Sequence, residues 1–117
     1  MQQLDVPIIH RIYELYKTLH ELQRTIPRSE RYSLWMRCED GTLAVLEDLL
    51  SVGYMPTHER ADFLTKTGVR LDRVRVLLRL SHDIKILNQK KYIGVQTQLD
   101  EIGRMLGGWI KSNRQKT

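Results

Sequence analysis

Between its first two prolines the chain reads "PIIHRIYELYKTLHELQRTIP", Pro7 to Pro27. Apolar residues fall at Ile8, Ile12, Leu15, Leu19, Leu22 and Ile26, a 4-3-4-3-4 spacing. Residues three and four apart share one face of a helix that turns every ~3.6 residues, so this is a heptad seam. Arg11, Glu14, Lys17 and Glu21 lie off the seam. Pro7 suits the first turn, where its missing N–H is no loss, and Asp5 is the expected N-cap. The spacing predicts an amphipathic helix over about 5–26. Such a helix must bury its seam against other elements.

Those elements follow at once. After the connection "PRSE", the seam resumes at Trp35, Cys38, Thr42, Val45, Leu49 and Val52, with Leu34, Leu46 and Leu50 widening the face. A second helix is predicted over about 31–52, ended by Gly53 and the break "GYMP". Thr57 is expected to cap a third helix over about 57–88. Lys90 and Lys91 are placed in the next turn. A fourth helix, over about 93–113, has the seam Val95, Leu99, Ile102, Leu106 and Trp109. Short connections make sequential helices antiparallel neighbours. The expected fold is all-α, an up-down-up-down four-helix bundle in one domain spanning 1–117.

The composition agrees. A chain of 117 residues, 41% hydrophobic and 28% charged, can bury a core and is not of a disordered type. No apolar run approaches the roughly 20 residues of a membrane span. The N-terminus shows no secretory signal pattern. The single cysteine, Cys38, excludes an intramolecular disulfide, and a cytoplasmic chain is the simple reading. Charge is uneven. Residues 1–59 carry six Lys/Arg against nine Asp/Glu, net −3, and residues 60–117 carry thirteen against five, net +8. A basic half implies an anionic partner, most often nucleic acid; the competing reading is a basic solvated surface with no such role.

Within the third helix, the stretch "RLDRVRVLLRLSHDIKIL", Arg70 to Leu87, is apolar on two flanks and carries Arg70, Arg73, Arg75 and Arg79. Leu71, Val74 and Leu78 form one flank; Val76, Leu80, Ile84 and Leu87 form the other. A polar stripe of Asp72, Arg75, Arg79 and His82 runs between them. One flank can face the bundle's core, and the second is expected to face a neighbouring subunit. Internal pairing of Asp72 with Arg75 and of Arg79 with Asp83 is the competing account of the stripe. In the fourth helix, Gly103, Gly107 and Gly108 each cost roughly 1 kcal/mol relative to alanine. They predict that another backbone passes close by, or else that the helix frays.

Catalytic and metal signatures are not found. His10, His20, His58 and His82 have no second ligand at metal spacing, and "HERAD" lacks the second histidine of a zinc-binding helix. Cys38 lies on an apolar seam and is expected to be buried and inert. No phosphate-binding glycine loop and no carboxylate couple stands out. The expectation is a protein that is not an enzyme, with no catalytic residues, cofactor or metal.

The segments "IPRSERYSLWMRCED", Ile26 to Asp40, "RVRVLLRL", Arg73 to Leu80, and "KKYIGVQTQLDEIGRMLGGWIKS", Lys90 to Ser112, carry a resemblance. With the four-helix layout they make the chain resemble, from about residue 5 to 114, the accessory variability proteins (Avd) of diversity-generating retroelements. Related bundle proteins are encoded in ribosomal-RNA intervening sequences. That branch usually carries "NIAEG" after its second helix, where this chain has "LLSVGYMP", which favours the Avd branch. The resemblance implies a basic homopentameric barrel of four-helix bundles. It implies binding to RNA or DNA and to a reverse transcriptase that makes error-prone cDNA from a template-repeat RNA. The family's third-helix arginines match Arg75 and Arg79. The expected nucleic-acid or reverse-transcriptase residues are Arg70, Arg73, Arg75, Arg79, Lys90 and Lys91; the expected oligomer interface includes Leu80, Ile84, Gly103 and Gly107. The alternative is an intervening-sequence-type interaction protein without a polymerase partner.

Overall fold

A computed structural model describes residues 6–115. Four long helices account for most of it: α1 (Pro7–Leu22), α2 (Leu34–Ser51), α3 (Thr57–Asp83) and α4 (Gln89–Gln115). A 3-10 turn at Gln23–Thr25 and a single helical turn at Arg28–Arg31 join α1 to α2, and a 3-10 turn at Val52–Tyr54 leads into α3. The described residues contain no strand.

Each helix packs on the next, and α1 closes the circuit against α4. Cross-helix pairs fix the directions. Between α2 and α3, Cys38 meets Ser81, Gly41 meets Val74 and Asp48 meets Thr67. The first number rises as the second falls, so these helices are antiparallel. Between α3 and α4, Asp62 meets Arg114 and Arg75 meets Asp100, again in opposite order. The result is an elongated helical bundle, 46 × 24 × 21 Å.

The predicted seams are the core. Ile8, Ile12, Leu15, Leu19 and Ile26 are buried, as are Trp35, Cys38, Thr42, Val45, Leu49 and Val52 on α2 and its exit. Leu71, Val74 and Leu78 of α3 meet Val95, Leu99, Ile102 and Leu106 of α4, with Trp109 partly buried at the edge. Ile9, outside the heptad count, is also buried. The Trp35 indole donates Nε1–H to the Leu19 carbonyl at 3.1 Å, so the largest core residue also satisfies its one polar group. At Gly41 an added Cβ would stand 2.9 Å from Val74 Cγ2; this glycine lets α2 and α3 close up.

Helix ends depart from the sequence expectations in instructive ways. The expected cap Asp5 lies outside the described residues; the N-cap position of α1 is Val6, with Pro7 in the first turn. Thr57 does not cap α3: Pro56 occupies the N-cap and Thr57 is the first helical residue. The α2 helix begins at Leu34, because the chain breaks at Ser33 (φ −121°, ψ −96°) after the single turn Arg28–Arg31. The α3 helix stops at Asp83, short of Leu87. Lys85 takes φ 70°, Ile86 N–H donates to the Ser81 carbonyl at 3.0 Å and Lys85 N–H to the His82 carbonyl at 3.0 Å. This is a Schellman termination with lysine where glycine usually sits. It swings Leu87 back into the core. Asn88 then starts α4 early, its Oδ1 accepting the Lys91 N–H at 2.9 Å. Lys90 and Lys91 therefore belong to the first turn of α4, not to the turn before it.

Candidate nucleic-acid and partner interfaces

The four arginines between Arg70 and Arg79 on α3 do not form one stripe; the helix turns them to different neighbours. Arg70 reaches Asp48 of α2 at 3.1 Å. Arg75 turns the other way, to α4. Its Nη1 donates to Asp100 Oδ1 at 2.7 Å, its Nη2 to the Leu99 carbonyl at 2.9 Å, and its Nε lies 3.8 Å from Asp72. Its guanidinium lies over Gly103, whose Cβ, if present, would stand 2.7 Å from Nη2. The close neighbour expected at the glycines is thus, at Gly103, a side chain of α3 rather than a backbone. At Gly107 a Cβ would meet nothing within 4 Å, and α4 stays helical to Gln115, so the tail is not frayed.

Arg79 is 75% exposed, with Asp83 3.9 Å away. Arg73 is exposed and makes no ion pair with the described residues. Arg73 and Arg70 border a groove between α2 and α3 whose other wall carries Arg37 and Asp40. Arg37 escaped the sequence reading: it belongs to the acidic half, and only the fold brings it beside the basic half.

At the far end of α3, one turn past Arg79, the His82 ring stacks on Tyr92 of α4 with centroids 4.5 Å apart. This stack ties the α3 end to the α4 start, where Lys85, Lys90 and Lys91 sit within seven residues of one another. Two lysines in a helix's first turn oppose its dipole, a placement that costs roughly 0.3–1 kcal/mol each. Lys85 was not among the expected site residues; nothing in "DIKIL" announces a left-handed position. The predicted cations thus fall into three places. Arg70 and Arg73 are on the α2 side, Arg75 is locked to α4, and Arg79 lies towards the bundle end with Lys90 and Lys91.

The expected second flank of α3 is partly realised. Val76, Leu80 and Ile84 are exposed, but Leu87, past the helix end, is core. Val69 extends the exposed stripe towards the start of the helix.

Two buried groups complete the electrostatics. Cys38 is fully buried beside Ser81, and burial pushes its thiol up to about 11. Glu39 is buried beside exposed His20, whose Nδ1 is 3.6 Å from Oε1, while Gln23 Nε2 donates to Oε2 at 3.3 Å. Burial raises the Glu39 pKa; the neighbouring His20 opposes the shift. Among the described residues no cluster of three or more His, Cys, Asp or Glu could hold a metal. No helix among them is long and apolar enough to cross a membrane.

Fold and surface together define a helical-bundle protein whose exposed chemistry is cationic and apolar. The chain belongs to the bAvd-like family, whose model matches residues 7–113. The family is of an accessory, non-catalytic kind. No curated protein matches the chain significantly.

Proposed function

We propose that this protein is a non-enzymatic accessory subunit of a diversity-generating retroelement, binding the element's reverse transcriptase and its template RNA or cDNA to support mutagenic cDNA synthesis. Membership of the bAvd-like family over residues 7–113 carries this reading. The net +8 of residues 60–117 supports the nucleic-acid part, and the cations at the α3–α4 end, Arg79, Lys85, Lys90 and Lys91, are its contact points. The exposed Val76, Leu80 and Ile84 support self-association into a closed ring, five subunits by the resemblance. The protein acts in the cytoplasm in this reading. Arg75 is assigned to holding α3 on α4 rather than to a partner, because its Nη1 and Nη2 each donate to α4.

The test is co-expression with the reverse transcriptase of the same element. Co-purification of the two, and loss of cDNA when this protein is omitted, is the expected result. A reverse transcriptase that neither binds it nor needs it would return the chain to the intervening-sequence type of interaction protein.

A further inference from the structure

Two helices of this chain carry outward stripes of matching spacing and opposite charge. On α2, Met36, Asp40, Leu43 and Glu47 follow a 4-3-4 spacing and are all exposed. On α3, Val69, Arg73, Val76 and Leu80 follow the same 4-3-4 spacing and are also exposed. At ~100° per residue each set spans only about 60° of its helix. Each lies opposite that helix's buried residues: Cys38, Val45 and Leu49 on α2, Leu71, Val74 and Leu78 on α3. Both stripes therefore look straight out of the bundle, from adjacent corners.

The charges on the stripes form no ion pair among the described residues, although Asp40 and Arg73 border the same groove. Asp40 and Glu47 make no ion pair among the described residues, and neither does Arg73. Several other surface carboxylates do find cations: Asp48 takes Arg70, Asp100 takes Arg75 and Glu101 takes Arg11. Asp40 and Glu47 lie on an apolar stripe of one helix, and Arg73 lies on an apolar stripe of the next. A seam of apolar residues at heptad spacing, with charges that choose the partner, is how helices recognise helices.

We propose that α3 of one copy docks its Val69–Arg73–Val76–Leu80 stripe on the Met36–Asp40–Leu43–Glu47 stripe of α2 in a second copy. This rests on the reading that the protein self-associates, and it names the two faces. Each copy then carries both faces of the contact, and copies join head-to-tail. Repeated head-to-tail, such a contact gives a ring where its rotation closes and a filament where it does not; the ring belongs to the self-association reading on which this rests. Arg73 then belongs to the subunit junction, against Asp40 and Glu47 of the neighbour, and is withdrawn from the nucleic-acid surface.

Size-exclusion chromatography with light scattering at micromolar concentration tests this on the full chain. Wild type is expected to be oligomeric. Arg73→Glu and, separately, Val76→Asp are expected to shift the dissociation midpoint upward by at least about tenfold, with helical circular dichroism unchanged because both sites are exposed. Reversing both faces at once, with Arg73→Glu, Asp40→Lys and Glu47→Lys in one chain, is expected to restore the wild-type size. A monomeric wild type would overturn the self-association reading itself. An oligomeric wild type whose size ignores both single variants, or a charge reversal that fails to restore it, would overturn this assignment of faces and leave self-association standing.

Discussion

The guanidinium of Arg75 fills the space that a Cβ on Gly103 would need, 2.7 Å from Nη2. An arginine three-quarters buried on α3 and a glycine in mid-helix on α4 therefore explain each other. The glycine gives up helix propensity, and the arginine gains a seat from which it bonds Asp100 and the Leu99 carbonyl.

The pair should couple. In an Arg75→Ala background, Gly103→Ala is expected to stabilise the fold by about 1 kcal/mol, the ordinary propensity gain. In wild type that gain is offset by displacing the guanidinium from its two bonds, so the net change is near zero. Arg75→Ala alone should cost about 1–2 kcal/mol, discounted because Asp100 is half exposed. Gly107→Ala, with nothing near its Cβ, should show the full gain in either background. Urea titration of the four Arg75/Gly103 combinations gives the coupling; additivity within error would mean that the contact is incidental.

Lys85 separates stability from binding. Its φ of 70° suits glycine, and a left-handed residue with a Cβ costs roughly 1–2 kcal/mol. Lys85→Gly is expected to raise stability by about 1 kcal/mol, part of the gain being returned to the freer unfolded chain. The same change removes one cation from the α3–α4 end, so nucleic-acid affinity should fall. Melting temperature and affinity moving in the same direction would contradict one of the two roles.

Cys38, fully buried with its thiol pushed up to about 11, should not react with a disulfide reagent in the native protein at pH 8. It should react once per chain in denaturant. Fast labelling of the folded protein would show that the α2–α3 seam opens readily.

Glu39 sets a pH trend. Its pKa in the fold is raised from 4.5, chiefly by burial, so the folded chain holds this proton more tightly than the unfolded one. The stability tied to that proton is fully present below the ordinary carboxyl range and is lost as pH climbs through the raised value. Glu39→Gln keeps the shape and drops the charge. It should be more stable than wild type at pH 7, by on the order of 1 kcal/mol, and the gap should close towards pH 4. A gap that widens on acidification would mean that the His20 contact, and not burial, governs this site.

The heptads made the bundle legible: every predicted α2 seam residue from Trp35 to Val52 is buried. Helix ends were less so. The stop at Asp83 depends on a left-handed lysine, which carries no sequence mark, and the start at Gln89 depends on one asparagine side chain. Cross-helix partners were not legible at all. Asp72 and Asp83 do stand near Arg75 and Arg79, as local spacing suggested, but at 3.8 and 3.9 Å. The short contact of Arg75 is to Asp100, twenty-five residues away, where periodicity gives no register. Gly41 likewise explains itself only once Val74 is seen against it.

Nucleic-acid binding, on this reading, should be electrostatic and largely indifferent to sequence. The exposed chemistry at the α3–α4 end is cationic: Arg79, Lys85 and Lys90 are solvent-facing and Lys91 half so. Its one aromatic contact, Tyr92 on His82, is already occupied within the chain. Phosphates are the groups such a surface attracts, and its exposed cations are not fixed in an array that matches base edges. In a ring each cation recurs once per subunit, so a modest patch becomes a belt. Affinity should fall with salt at a log–log slope of roughly −0.7 to −0.9 per phosphate neutralised. Lys90→Glu with Lys91→Glu should weaken binding about tenfold or more and flatten that slope. Removing two like charges from the first turn of α4 should leave the bundle as stable as before, or slightly more so. Arg75→Glu should instead lower the melting temperature, because it breaks the bonds to Asp100 and the Leu99 carbonyl. Salt titrations of these variants against unrelated RNA and DNA of equal length decide the matter. A slope that ignores the lysine changes, or a strong preference for one base sequence, would place the binding surface elsewhere on the molecule.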